Sequence, residues 1–265
     1  MGGFNPAPRP EIARAAPKAL FFAPHPDDEC ISGGLVLRLF RQARMRAINI
    51  PVTLGSKKER QLERLAELQG ACRYLGFEVV QTGPRGLDRI NPKARQQDAA
   101  HWSACVEAVR ALIQQLNPKV VCFPHEADWN STHIGTHFLV MDALRKMPSS
   151  FQCYIVETEF WGAMNDPNLM VEISGEDLGD MIAATTFHAG EVGRNPYHLS
   201  LPAWMMDNVR RGSEVVGGQG GATPDFAFAV LNRVRKWAGG QPARFFDGGK
   251  FVPASRNVAD LFASA

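Results

Sequence analysis

Two segments concentrate residues that could do chemistry. The first, HPDDE at residues 25–29, sets a histidine, two adjacent aspartates and a glutamate directly behind an apolar run. The second, HEADWNSTH at residues 125–133, follows another apolar run, and His137 lies four residues beyond it. His25, Asp28 and one histidine of the second segment would supply two imidazoles and a carboxylate. Three protein ligands with a fourth position left to water is the arrangement of catalytic zinc. Residue types alone leave the third ligand open among His133, at the expected start of a helix, His125 on a strand exit, and His137 one turn later. His133 and His137 could pair on one helix face, but the glutamate of an HExxH metalloprotease is missing. Adjacent side chains in turning backbone point in different directions, so one aspartate can bind the ion while the other reaches its water. A cation lowers the pKa of such a water towards about 7, and a neighbouring carboxylate can then accept the proton. Asp27 and Glu29 also have a plainer explanation, as residues capping a helix start, and Glu29 could equally support the site from behind.

The elements that must position these residues alternate. KALFFAP (18–24) is a short apolar run ended by proline, the pattern of a strand buried on both faces. A helix is expected over 33–44, a strand over 46–56 and a helix over 57–76. In that second helix Leu62, Leu65 and Leu68 supply an apolar stripe and Gly76 the stop. Strands follow at 77–83, 118–125 and 151–162, with helices at about 98–116 and 133–146. This alternation predicts an α/β fold: a Rossmann-like three-layer sandwich with a mostly parallel sheet and helices on both faces. Ligands of such sheets sit beyond the carboxyl ends of the strands. Both acidic-histidine segments leave strands on that edge, so they can meet.

Residues 163–225 are rich in Asn, Pro and Gly and are expected to be irregular apart from one helix. Within them, 191–221 combines Arg, Asn, Tyr and Trp with flexible glycines, which suits a lid over a polar ligand or a subunit contact. Trp161 and Trp204 could stack on a sugar face or simply pack. With no internal repeat and no linker, 1–265 reads as one domain, with 1–17 as an N-terminal arm.

Composition narrows the function classes. A formal net charge of +2 gives no reason to expect nucleic-acid binding or a role at a membrane surface. No apolar stretch reaches the length of a membrane helix, and the N-terminus lacks a secretory pattern. Five cysteines without a CxxC pair suggest reduced thiols and a cytoplasmic protein.

At APHPDDE (23–29) the sequence resembles the zinc-dependent deacetylases of the PIG-L/LmbE family, which remove an acyl group, usually acetyl, from the nitrogen of a glucosamine-type sugar. The stretch VTLGS…RLAEL…CRYLG, with Arg64, is similar to the family's T-x-G…R-x-x-E-L…L-G pattern. DWNSTH is similar to its H-x-x-H motif, and MIAATTFHAGE to a later helix ending in histidine, here His188. The resemblance covers roughly residues 18–215. It implies His25, Asp28 and His133 as ligands of one zinc ion per chain and Asp27 as the base acting on metal-bound water. It further implies Arg64 and Asp88 near the substrate, and self-association as a homo-oligomer. Asn130 replaces the first histidine of H-x-x-H. Its amide can donate a hydrogen bond to an oxyanion but cannot transfer a proton, and His188 is the candidate to share that catalytic work.

The expected activity is therefore zinc-dependent removal of acetyl from an N-acetylated amino sugar or its conjugate, a small-molecule substrate. Two alternatives stand beside it: a metal-dependent amidase on a non-sugar N-acyl amine, and a metal-containing binding protein whose catalysis is weakened at Asn130.

Overall fold

Strands arise where apolar runs are short and bounded by Pro or Gly, and helices where the apolar period lengthens. The computed structural model describes residues 5–263; the first four residues of the expected N-terminal arm lie outside them. β1 (Lys18–Ala23) leads into a four-residue helix α1 (Asp28–Ile31) and then α2 (Gly34–Arg41). β2 (Arg46–Pro51), α3 (Gln61–Leu75) and a two-residue β3 (Glu78–Val79) follow. After α4 (Pro92–Gln97) and α5 (Ala99–Leu116) come β4 (Val120–Pro124), α6 (Ser131–Arg145) and β5 (Cys153–Thr158). The remainder adds β6 (Leu169–Glu172), α7 (Gly175–Thr185), α8 (Ala189–Val192), α9 (Tyr197–Gly217), β7 (Ala229–Ala238), β8 (Gln241–Arg244) and β9 (Lys250–Val252).

The strands form one sheet in the order β3-β2-β1-β4-β5-β7-β6-β9, with β8 paired to β7. From β3 to β5 all pairings are parallel, whereas β7 runs antiparallel to both β5 and β6. The mostly parallel α/β sandwich read from the sequence is the observed architecture, with an antiparallel margin added by the C-terminal strands. Chain order reverses between β1 and β4, which are direct neighbours with Phe21 opposite Cys122. That reversal opens a crevice at the carboxyl ends of these two strands.

Both faces of the sheet are covered. On one, Phe21 and Cys122 pack with Leu35, Leu39, Leu68 and Met181. On the other, Phe22 and Phe123 pack with Trp102, Ile113 and Leu139. Double coverage explains why β1 reads as an unbroken apolar run instead of an alternating one. Burying each of its phenylalanines stabilises the fold by about 1.5–3 kcal/mol. All five cysteines are free and buried. No helix among the described residues is long and apolar enough to cross a membrane.

Two sequence expectations change. Sequence spacing puts the apolar stripe of α3 on Leu62, Leu65 and Leu68, yet Leu62 is 58% exposed and the buried positions are Gln61, Leu68, Ala71, Cys72 and Leu75. The first turn of this helix stands at the cavity mouth, where a leucine has no core to meet. Residues 163–225 are more regular than their composition suggests. Leu201, Met205, Val209 and Val216 give α9 a buried face, which Pro202 and the exposed Leu199 and Met206 disguise in the sequence.

A glycine fixes how α6 approaches the loop ahead of α4. A Cβ on Gly135 would lie 2.5 Å from the carbonyl carbon and oxygen of Ile90 and 2.6 Å from the amide nitrogen of Asn91. Backbone cannot yield as a flexible side chain can. Gly135→Ala is therefore expected to lower stability by about 1–3 kcal/mol despite alanine's better helix propensity. A urea midpoint equal to that of the parent protein would refute this packing constraint.

Candidate metal centre

The chain leaves β1 through His25-Pro26, where a proline disfavours helical backbone at the residue before it. Asp28 then folds back: its Oδ2 accepts the backbone N–H of His25 at 2.9 Å and lies 3.5 Å from His25 Nδ1. Across the crevice, Asn130 caps α6, its Oδ1 accepting from the amides of Thr132 (2.8 Å) and His133 (3.4 Å). The cap satisfies two otherwise unpaired amides and aims the His133 ring at Asp28, with Nε2 3.3 Å from Oδ2. One donor atom from each of His25, Asp28 and His133 thus lies within 4.8 Å of the others.

These residues fit a cation. Tetrahedral ligands about 2.0–2.1 Å from zinc stand roughly 3.3 Å apart, close to the two separations at Asp28 Oδ2. His133 Nε2 is buried with no hydrogen-bond partner, a state that costs free energy unless another group occupies the space. The carboxylate stays ionised here: burial works against it, but His133 and His25 hold Asp28 far below the usual carboxylate range. Burial likewise opposes charge on His133, yet Asp28 and Asp128 pull its imidazole up to about 10. The two carboxylates thus favour positive charge at this point, which a metal ion would supply in exchange for the imidazole proton. Behind His133, Asp128 Oδ2 lies 3.5 Å from Nδ1, and its Oδ1 accepts the amide of Asn130 at 2.8 Å.

Asp27 is held differently from Asp28. Its φ of 121° is a strained conformation for a side-chain-bearing residue, of the kind that costs about 1–3 kcal/mol and persists only when neighbours impose it. The imposing contact is Glu29, whose Oε2 accepts the Asp27 amide at 3.0 Å. Glu29 Oε1 in turn sits 2.7 Å from His188 Nε2, and both side chains are fully buried. Burial, and then the Asp28 charge, push the Asp27 carboxyl well above the usual range, with Arg64 pulling the other way.

Asp27, Asp28 and His25 line a cavity of about 550 Å³. Arg64, Asp88 and Asn130 line it too, as do Trp161 and Tyr197. Arg64 is tied to the metal turn, its Nη2 donating to the carbonyl of Pro26 at 2.8 Å. His188 does not reach the cavity; it stands behind Glu29. His125 and His137 are occupied elsewhere. His125 Nε2 donates to the carbonyl of Gly162 at 2.8 Å, while its Nδ1 accepts from Ala127. His137 Nδ1 donates to the carbonyl of Pro124 at 3.1 Å, beside Glu157, whose charge Arg233 and Arg235 engage. Trp204 does not line the cavity but packs on Phe160, which does. Of the stretch 191–221, only Glu191, Arg194 and Tyr197 line the cavity, and much of the rest is helix packed on the sheet.

Known proteins resemble part of the sequence and most of the fold. Residues 20–144 match the family model PIG-L, described as GlcNAc-PI de-N-acetylase. A curated relative from Mycobacterium leprae, 1D-myo-inositol 2-acetamido-2-deoxy-alpha-D-glucopyranoside deacetylase, is 29% identical over 154 residues, 48% of this chain. The match spans about half the length of that relative (50%). Among solved structures, the N,N'-diacetylchitobiose deacetylase of Pyrococcus horikoshii superposes with a TM-score of 0.61 at 16% identity over 85% of each chain. The 4-carboxy-2-hydroxymuconate hydratase GalB of Pseudomonas putida gives 0.59 at 13% identity, covering 82% of this chain and 95% of its own. Similarity at that level speaks to fold alone, and the same fold hosts different reactions.

Asp128 is the residue that sequence reasoning passed over. A carboxylate on the far nitrogen of a ligand histidine fixes its ring and strengthens it as a donor, and losing such a partner lowers metal affinity about 10–100-fold. Asp128→Asn is expected to weaken metal binding by that factor in a chelator-competition titration. Unchanged affinity would show that the Asn130 cap alone orients His133.

Proposed function

Taking as premise that residues 20–144 carry a PIG-L family domain, we propose that this protein is a zinc-dependent deacetylase acting on the nitrogen of an N-acetylated amino sugar or its conjugate. The observation that carries the reading is the meeting of His133 with His25 and Asp28, which line the cavity together with the strained Asp27. A zinc ion held by those three residues would polarise the amide carbonyl and acidify a water at neutral pH.

The remaining work falls to the chain. Asp27 takes the proton from the attacking water on its carboxylate and delivers it to the departing amine nitrogen. The amide nitrogen of Asn130 can donate to the oxygen that gains charge on the carbonyl, while its oxygen stays on the helix. In this reading Arg64 and Asp88, both in the cavity lining, would meet sugar hydroxyls, and Trp161 or Tyr197 would cover an apolar sugar face. His188 and Glu29 act one step removed, as positioning residues for Asp27.

Three outcomes test this assignment. Asp27→Asn should keep its metal while acetate release from N-acetylglucosamine compounds falls about 10²–10⁴-fold; loss of metal instead would exchange the roles of the two aspartates. His133→Ala should give protein that no longer retains zinc under dialysis, and full zinc content would sink the ligand set. For His188→Ala, kcat should fall more than KM changes, because the strained turn relaxes while the cavity walls persist. A near-normal kcat would reduce His188 to packing.

A further inference from the structure

The layer beneath the HPDDE turn holds a second set of donor atoms. Three groups of side chains among the described residues bring metal-ligating atoms together: His25, Asp28 and His133; Glu126, His137 and Glu157; and Glu29, Cys30 and His188. In the second group Arg233 pairs with both carboxylates and Arg235 with Glu157, so cations already hold the charge. In the third, Glu29 pairs with His188 and with no Lys or Arg among the described residues. This third group is also the one that contains sulfur.

Glu29 and Cys30 belong to α1, and His188 caps α8 just after α7 ends. His188 Nε2 stands 2.7 Å from Glu29 Oε1 and 3.9 Å from Cys30 Sγ, and Cys30 Sγ lies 3.5 Å from the same oxygen. Tetrahedral bonds of zinc-like length put a sulfur ligand about 3.6 Å from a nitrogen or oxygen ligand, so both sulfur separations already suit an ion. Only the 2.7 Å contact must widen, as the proton between imidazole and carboxylate gives way to the cation. The other ring nitrogen, Nδ1, is buried with no hydrogen-bond partner, so it can take that proton. One further proton leaves the Cys30 thiol for solvent as the sulfur–metal bond forms. A thiolate and an imidazole favour soft cations over Mg2+ and Ca2+.

We propose that Glu29, Cys30 and His188 form a second metal site, for a thiophilic cation of the Cd2+ or Cu+ class, whose occupation slows catalysis through Asp27. The connection is Glu29. One of its oxygens binds the ion, while the other holds the Asp27 amide at 3.0 Å. Widening the contact between Glu29 and His188 shifts that carboxylate and disturbs the strained turn. The effect on catalysis rests on the deacetylase reading; the site itself does not. All three side chains are buried, so entry requires local opening and binding is slow.

The experiment adds Cd2+ alone to the full zinc-loaded chain and follows its ultraviolet absorbance to completion. A sulfur-to-cadmium charge-transfer band should grow until each chain holds one sulfur-bound ion. Cadmium that merely replaces zinc at His25, Asp28 and His133 gives no such band, because that set lacks sulfur. Cys30→Ala should retain zinc and lose the band. X-ray absorption on the unaltered chain supplies a check that needs no variant: the cadmium shell should contain sulfur beside nitrogen and oxygen. No band after overnight incubation, a band that persists in Cys30→Ala, or a shell of nitrogen and oxygen alone would overturn the site. As the band grows, acetate release by the parent should fall about tenfold or more, while Cys30→Ala should start at parental activity and resist. Equal loss in both proteins would overturn the link to Asp27. If the parent releases no acetate before cadmium is added, the deacetylase reading falls and the band still decides the site.

Discussion

A carboxylate buried between two imidazoles organises this end of the molecule. Asp28 is 3% exposed, and a buried charge without compensation is too costly to persist. Its two partners come from opposite sides of the crevice, His25 from the exit of β1 and His133 from the first turn of α6. Compensation therefore requires β1 and β4 to be neighbours, which is where the sheet reverses its chain order. The fold does not merely host the site. The adjacency of these two strands is the condition under which the Asp28 charge can be buried.

The two aspartates differ because the turn between them is strained. Helix α1 starts at Asp28, so Asp27 must absorb the change of direction after Pro26. Its amide is directed to Glu29, and Glu29 is held by a histidine 159 residues further on. Strain at a reactive group is sustained by surrounding contacts that over-determine it, and here those contacts lie in the buried layer under α1. The glutamate of HPDDE thus reaches back to the amide of the residue that caps α1. It fixes the backbone from which Asp27 projects.

The convergence of HPDDE with the second histidine segment was legible in the sequence because both leave strands whose apolar runs are unmistakable. HPDDE directly follows β1, so its place on the ligand edge follows from the parallel sheet. Which histidine joins it was not legible from residue type: His125, His133 and His137 lie within thirteen positions. Only tertiary structure separates them: His133 brings a donor atom beside those of His25 and Asp28, whereas His125 uses both ring nitrogens on Gly162 and Ala127 and His137 groups with Glu126 and Glu157. Asp128 was invisible for a similar reason, since its relation to His133 depends on the bend that Asn130 makes before α6. The pairing of His188 with Glu29 joins segments with no sequence relation, so a histidine expected in the cavity is instead beneath it. In the fold, α9 was obscured because Pro202 and exposed apolar residues interrupt its period, and packing on β7 and β6 supplied what local pattern lacked.

Asn130 shows how one side chain can constrain a mechanism from both of its ends. Its oxygen is committed to the amides of Thr132 and His133, so the residue orients a candidate ligand before it touches any substrate. Only the NH₂ group remains for the cavity, and an amide nitrogen donates without releasing a proton. A histidine at this position could have shared acid catalysis; an asparagine leaves that duty elsewhere. Among the ionisable cavity groups at the HPDDE turn, His25 and Asp28 belong to the candidate ligand group with His133, and Asp27 is the remaining carboxylate. On the proposed reading, the same carboxylate must accept the proton from water and return it to the amine, which makes the rigidity of its strained turn a condition for both halves of the reaction.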